Sequence, residues 1–118
     1  MATKQAGPGR PRLPYDPKTA ADRERRRLHS AQQRRKNAPV HSAIIDAFLS
    51  NPCVDCGEQY PLPAMHPDHV RPKKYKIAWF RGGNGTAKML QDELDKCEVR
   101  CANCHCIRHA YESRKLLA

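Results

Sequence analysis

The sequence lacks any long apolar run. No stretch of its 118 residues approaches the length of a membrane span, and the N-terminal "MATKQAGPGRPRLPYDP" has no segment resembling a signal peptide. These absences argue against a helical membrane protein and set the expectation of a chain that folds in a reducing cytoplasm. Hydrophobic residues are scarce, at 39%, and ten prolines interrupt what could otherwise be long elements. A chain this small and this poor in apolar side chains buries little surface relative to what it exposes, so one small domain held by a staple is expected.

Acidic residues are outnumbered, 12 Asp/Glu against 22 Lys/Arg, for a net charge of +10. The excess is uneven, because residues 1–50 carry 11 basic against 4 acidic side chains while the remainder carries 11 against 8. A basic arm joined to a nearly balanced core suits a polyanion, of which nucleic acid is the commonest. The plain alternative is a solubilising tail without a target.

Three segments follow from composition. Residues 1–17 hold Pro8, Pro11, Pro14 and Pro17 with Gly7 and Gly9, which reads as a flexible leader. Its "GRPR" at Gly9–Arg12 is similar to the AT-hook over four residues only, a match that a plain linker also explains. Residues 18–39 form a basic arm, helical or disordered, with Leu28 as the only large apolar residue between Lys18 and Lys36. Arg25, Arg26, Arg27, Arg34 and Arg35 are its candidate DNA contacts, and His29 reads as a surface residue.

Residues 40–118 form the folded domain. After Pro39 a short helix is expected, with Ser42 as its cap, Ile44, Ile45, Phe48 and Leu49 on its inward stripe, and His41 at the surface. An extended stretch near Ala64–Val70, a helix over Thr86–Lys96 facing inward through Leu90, Leu94 and Cys97, a strand at Cys97–Arg100 and a final helix from about Asn103 complete the domain.

Six cysteines supply the staple. Cys53-x-x-Cys56 and Cys101-x-x-Cys104 are two knuckles whose four thiolates suit a closed tetrahedral zinc site. Cys97 and Cys106 read as small buried apolar residues, although Cys106 could replace one of the four, and disulfides are disfavoured in a reducing cell. If a helix starts at Asn103, Cys104 facing zinc turns His105 elsewhere, and His109 shares the face of His105.

A second ion would need donors opposite His105, and "MHPDHVRPKK" offers them. Asp68 is a hard carboxylate ligand, and His69 has a side chain suited to taking a proton from water near neutrality. On an ideal strand the two would face opposite ways, so the strand must end or bulge there, as Pro67 and Pro72 allow. His66 is taken as a neighbour and not a ligand. The loop "RPKKYKIAWFRGGNG" mixes Lys73, Lys74, Lys76 and Arg81 with Tyr75, Trp79 and Phe80; the cations are candidate phosphate contacts, and Trp79 and Phe80 are expected to be mainly buried. Arg71 and Arg108 are further phosphate candidates, each equally readable as a solvated charge.

Over about residues 53–112 the motifs "CVDCG", "PDHVRP" and "CEVRCANCHCIRH" resemble the HNH endonucleases, in the order and spacing of their zinc-bearing phage-type branch. The resemblance implies a small α+β protein with a ββα-metal core stapled by a four-cysteine zinc site. It implies that Asp68 and His105 hold a catalytic divalent ion, that His69 is the general base, and that His109 binds metal or phosphate. Cys53, Cys56, Cys101 and Cys104 would be the zinc ligands. The expected cofactors are structural Zn2+ and a catalytic cation, Mg2+ or Mn2+, with Ni2+ or Zn2+ as further candidates; the expected partner is DNA, with no membrane and a monomer by default. Where the family has an asparagine nine residues before the metal-binding histidine, this chain has Lys96, which puts the orientation of His69 in question. The resemblance thus implies a metal-dependent, phage- or prophage-encoded DNA endonuclease acting in the cytoplasm of a bacterial host. The alternatives are a non-catalytic zinc-knuckle DNA-binding protein and a small RNA-binding ribbon.

Overall fold

The structure, a computed structural model, describes residues 16–114. The leader expected over residues 1–17, apart from its last two positions, and the Gly9–Arg12 segment lie outside the described residues. The chain order is α1 (Pro17–Leu49), a 3-10 turn (Leu62–Ala64), β1 (Met65–His69), α2 (Ile77–Arg81), α3 (Ala87–Leu94), β2 (Cys97–Cys101) and α4 (Ala102–Arg114). It is a small α+β protein: four helices and a two-stranded antiparallel sheet among the described residues. No helix among them is long and apolar enough to cross a membrane.

Contacts divide the chain into a unit ending at Ala31 and a unit beginning at Gln32, upstream of the 39/40 boundary expected from composition. In the first unit, Asp16 accepts a hydrogen bond from the Lys18 N–H at 3.0 Å and so caps the start of α1. The arm is solvated as expected, with Leu28 exposed. Arg25 is paired with Asp22, and Arg27 is paired with Glu24 at 2.7 Å.

In the second unit the helix does not restart after Pro39. It runs through that residue, and Ser42 lies inside it without capping anything. A mid-helix proline removes one hydrogen bond and crowds the carbonyl four residues back. Tertiary contacts on both sides hold the helix against this cost. Asn37 donates to the Gly83 carbonyl at 3.4 Å, and the His41 ring bonds the Phe80 carbonyl at 3.0 Å. His41 is therefore buried, contrary to its surface assignment, while Ile45 and Leu49 enter the core with Ile44 and Phe48 packed at its margin. The helix ends where Asn51 donates its side-chain amide to the Phe48 carbonyl at 2.8 Å and Pro52 blocks continuation.

The core joins Ile45 and Leu49 to Met65, Ile77, Phe80, Leu90, Leu94 and Val99. Thr86 caps α3 by accepting from the Met89 N–H at 3.2 Å, and Leu90 and Leu94 face inward as the periodicity predicts. Phe80 is fully buried, but Trp79 is 40% exposed, its indole stacked on Tyr75 with ring centroids 5.0 Å apart. Trp79 follows Ile77 and precedes Phe80 on the five-residue α2, and so short a helix buries only one face.

Gly83 fastens α1 to the turn after α2. Its φ is +89°, and a Cβ there would lie 2.0 Å from the Arg34 carbonyl oxygen. Gly57 also has positive φ, +75°, but a Cβ there meets nothing within 4 Å. Gly83→Ala is expected to cost about 3 kcal/mol, combining left-handed strain with backbone overlap, whereas Gly57→Ala costs about 1 kcal/mol. Chemical denaturation of both variants at fixed zinc checks the difference.

In the sheet, Met65 pairs with Cys101, Asp68 with Glu98 and His69 with Cys97. Pro67 is tolerated because β1 has an open edge. Val54 N–H donates to the Val99 carbonyl at 2.9 Å, which hangs the first knuckle on β2. Since α4 follows β2 without a linker, the knuckle, the strand end and the first turn of α4 converge.

Candidate metal centres

The first centre is built by that convergence. Cys53 and Cys56 come from the knuckle, Cys101 from the end of β2 and Cys104 from the first turn of α4, and their four sulfurs lie within 4.8 Å of one another. The Cys56 and Cys101 sulfurs are 3.9 Å apart, close to the edge of about 3.8 Å that a tetrahedron with 2.3 Å Zn–S bonds would have. The turn is shaped by Gly57 N–H donating to the Cys53 carbonyl at 2.9 Å and Cys53 N–H donating to the Glu58 carbonyl at 3.0 Å.

Burial would raise the Cys53 thiol, but backbone N–H groups of Cys56, Cys101 and Asp55 hold it down at about 6. Cys104 is pushed up to about 12 by its bond to the Cys101 sulfur, by burial and by the Cys53 and Cys56 sulfurs. Negative charge on one sulfur thus opposes it on the next, a conflict that a divalent cation among four thiolates removes. The donor set could hold a structural metal such as zinc.

The two remaining cysteines differ from each other. Cys97 is buried, as expected, with its thiol donating to the Glu93 carbonyl at 3.3 Å and pushed up to about 12 by burial and the nearby carboxylates of Glu93 and Asp68. Cys106 is exposed, not buried, because it lies on α4 away from both the core and the four-sulfur cluster.

The second group sits where β1 meets α4. Asp68, His105 and His109 offer one donor atom each within 4.8 Å of the others. Asp68 is 1% exposed, and its Oδ1 lies 3.4 Å from His105 Nε2 and 3.2 Å from His109 Nε2. Its Oδ2 accepts from Arg100 at 2.8 Å and from Arg108 at 2.6 Å. Burial alone would raise the Asp68 carboxyl, but Arg108, His105 and His109 keep it below its ordinary value. Burial lowers His105 in turn, outweighing the attraction of Asp68. His66, left outside the ligand set in the sequence, bonds His105 through Nδ1 to Nδ1 at 3.0 Å, which leaves His105 Nε2 for the cluster.

His69 and Asp68 line one cavity of about 480 Å3 together with Pro67, Lys73, His105, Cys106 and His109. Both side chains reach it although β1 stays paired with β2 through His69 without a bulge, so the alternation of an ideal strand does not keep them apart. One carboxylate and two imidazoles beside an open cavity could hold a divalent cation.

Two charged residues that the sequence reading missed organise this region. Arg100, 7% exposed, donates to Asp68 and also to Asp55 at 2.8 Å and Glu98 at 3.1 Å, so it ties the knuckle between Cys53 and Cys56 to the second cluster. Glu93, 2% exposed, accepts from His69 Nε2 at 3.1 Å, Lys96 Nζ at 2.7 Å and Lys74 N–H at 3.4 Å. The only local signal for Glu93 was an acid adjoining Leu94 on the inward face of α3.

Compared with protein-family models, curated proteins and solved structures, the chain matches none. The cations expected to contact phosphate divide on structural grounds. Arg71, Lys73, Lys74 and Lys76 are exposed beside the cavity-bearing segment, and Arg26, Arg34 and Arg35 are exposed on α1. Arg108 is committed to Asp68 and to Glu112 at 2.8 Å, and Arg81 is paired with Asp46 at 2.9 Å, so neither is a freely solvated charge.

Burial would raise the Glu93 carboxyl, but Lys96, His69 and the backbone of Tyr75 and Lys74 bring it from 4.5 down to about 2. A folded-state value below the unfolded one contributes stability above about pH 4.5 that is lost as pH falls through about 2. Glu93→Gln should therefore be less stable than the wild type near neutrality, with a gap that narrows by roughly 1–3 kcal/mol between pH 5 and pH 2. Parallel urea titrations across that window check it, with acid release of metal common to both proteins.

Proposed function

We propose that the chain is a metal-dependent DNA endonuclease of the HNH type, hydrolysing phosphodiester bonds to nick or cut duplex DNA. The observation that carries this reading is that His69 opens on the same cavity as the Asp68, His105 and His109 donors. The order β1–β2–α4, with the candidate base ending the first strand and imidazoles on the helix, is the arrangement expected of a ββα-metal core.

Asp68, His105 and His109 would hold a divalent cation such as Mg2+ or Mn2+, which when bound would supply polarisation of the phosphate and compensation of charge on the leaving 3′ oxygen. His69 takes a proton from the in-line water as its oxygen bonds phosphorus and the P–O3′ bond breaks. Arg100 and Arg108 grip one oxygen of Asp68 and keep the other turned toward the imidazoles. Lys73 in the cavity wall and the exposed Arg71, Lys74 and Lys76 hold the flanking phosphates, and the exposed arginines of α1 add sequence-independent grip.

A second reading, a non-catalytic zinc-knuckle DNA-binding protein, draws on the same ion pairs. A carboxylate held by two arginines is also what a purely structural Asp68 would look like. Plasmid nicking with Mg2+ or Mn2+ separates the two. Nicking by the wild type and its loss in His69→Ala at unchanged zinc content supports the endonuclease; DNA binding without nicking under any divalent ion supports the binder.

A further inference from the structure

The buried acid on α3 has no packing reason to be there. It lies beside Leu94 on a face that otherwise enters the core, and an unpaired carboxylate in such a place is costly. One of its contacts leads to the cavity instead: one oxygen accepts from Lys96, and the other accepts from the N–H of Lys74 and from His69, which lines that cavity.

We propose that Glu93 is the positioning residue for His69: it accepts the Nε2 proton of the imidazole, fixes the ring, and leaves Nδ1 as the nitrogen that takes the proton from water. This rests on the endonuclease reading and deepens it. The proton removed from water goes to Nδ1, and the resulting imidazolium is stabilised by the Glu93 anion 3.1 Å from Nε2. Lys96 keeps that anion from turning away, its Nζ lying 2.7 Å from the other oxygen. The arrangement follows the general logic of a base whose far nitrogen is held by a carboxylate.

Two measurements test it. In nitrogen-edited spectra of the wild type without added catalytic metal, His69 should carry its ring proton on Nε2, shifted downfield and protected from exchange, and this signal should disappear in Glu93→Ala. In plasmid nicking, Glu93→Gln should lower kcat about 10²-fold while KM for plasmid stays unchanged. Glu93→Asp should recover part of that loss. Because Glu93→Gln leaves Lys96 without a counter-charge, the neutral pair Glu93→Gln/Lys96→Met is measured alongside it; it should remain folded and show the same kcat defect. A His69 proton on Nδ1, or a Glu93→Gln enzyme with wild-type kcat, overturns the role of Glu93 while leaving the endonuclease reading intact. Failure of the wild type to nick at all removes that reading, and the catalytic role of Glu93 with it.

Discussion

Stripping metal from the four-sulfur cluster, or replacing Cys101 by serine, is expected to unfold the unit that begins at Gln32. Cys101 closes β2, opens the path into α4 and supplies one of the four clustered sulfurs, so its loss should release both elements. Structural zinc in small domains contributes on the order of 10–16 kcal/mol of apparent binding energy, while whole domains are stable by only about 5–15 kcal/mol. Chelation should therefore abolish the cooperative transition in circular dichroism, and one equivalent of zinc should appear in a colorimetric assay of the released metal. Cys106→Ser serves as the control: the side chain is exposed and outside the cluster, so both stability and zinc content should match the wild type within about 0.5 kcal/mol. Folding unchanged after full chelation would mean that the apolar core alone suffices.

Loss of that metal should also be felt at the second cluster. Arg100 reaches Asp55, between Cys53 and Cys56, with one nitrogen and Asp68 with another. A knuckle that loosens withdraws one of the partners that orient Arg100, and through it the carboxylate that faces His105 and His109.

What could be read from the sequence were the features whose causes are local. The two Cys-x-x-Cys knuckles, the cap at Thr86 with the Leu90 and Leu94 spacing, and the pairing of His105 with His109 one turn apart depend on residues a few positions away. What could not be read depends on partners distant in the chain. Pro39 ought to end a helix, and fails to because Asn37 and His41 find carbonyls on Gly83 and Phe80 some forty residues later. Arg100 and Arg108 look like ordinary cations until β1 brings Asp68 beneath them. Glu93 reads as one more helix-forming acid until the strand end delivers His69 to it. The exposure of Trp79 on α2 and of Cys106 on α4 has the same origin, since no spacing rule says which side of a helix the rest of the chain will cover.

His69→Ala is expected to lower kcat for plasmid nicking by about 10²–10⁴-fold, the range for removing a positioned general base, or about 3–5 kcal/mol of barrier. The ion pairs make His69 a cleaner probe than its neighbours. Asp68→Ala would leave Arg100 and Arg108 without their shared carboxylate, so lost activity could reflect lost folding. Removing the His69 ring leaves Glu93 still bound by Lys96 and the Lys74 N–H, and no buried charge is stranded. Stability of His69→Ala should therefore fall by only about 1 kcal/mol. KM for plasmid should not change, because the proposed function assigns the grip on DNA to exposed cations, and Mn2+ affinity by calorimetry should persist in His69→Ala while falling in His105→Ala. Replacing Lys73 and Lys74 by alanine should do the reverse, weakening DNA binding and reducing the salt slope by about 2, with kcat retained. Undiminished nicking by His69→Ala, free of contaminating nuclease, would assign proton removal to some other group and leave the shared cavity without its catalytic meaning.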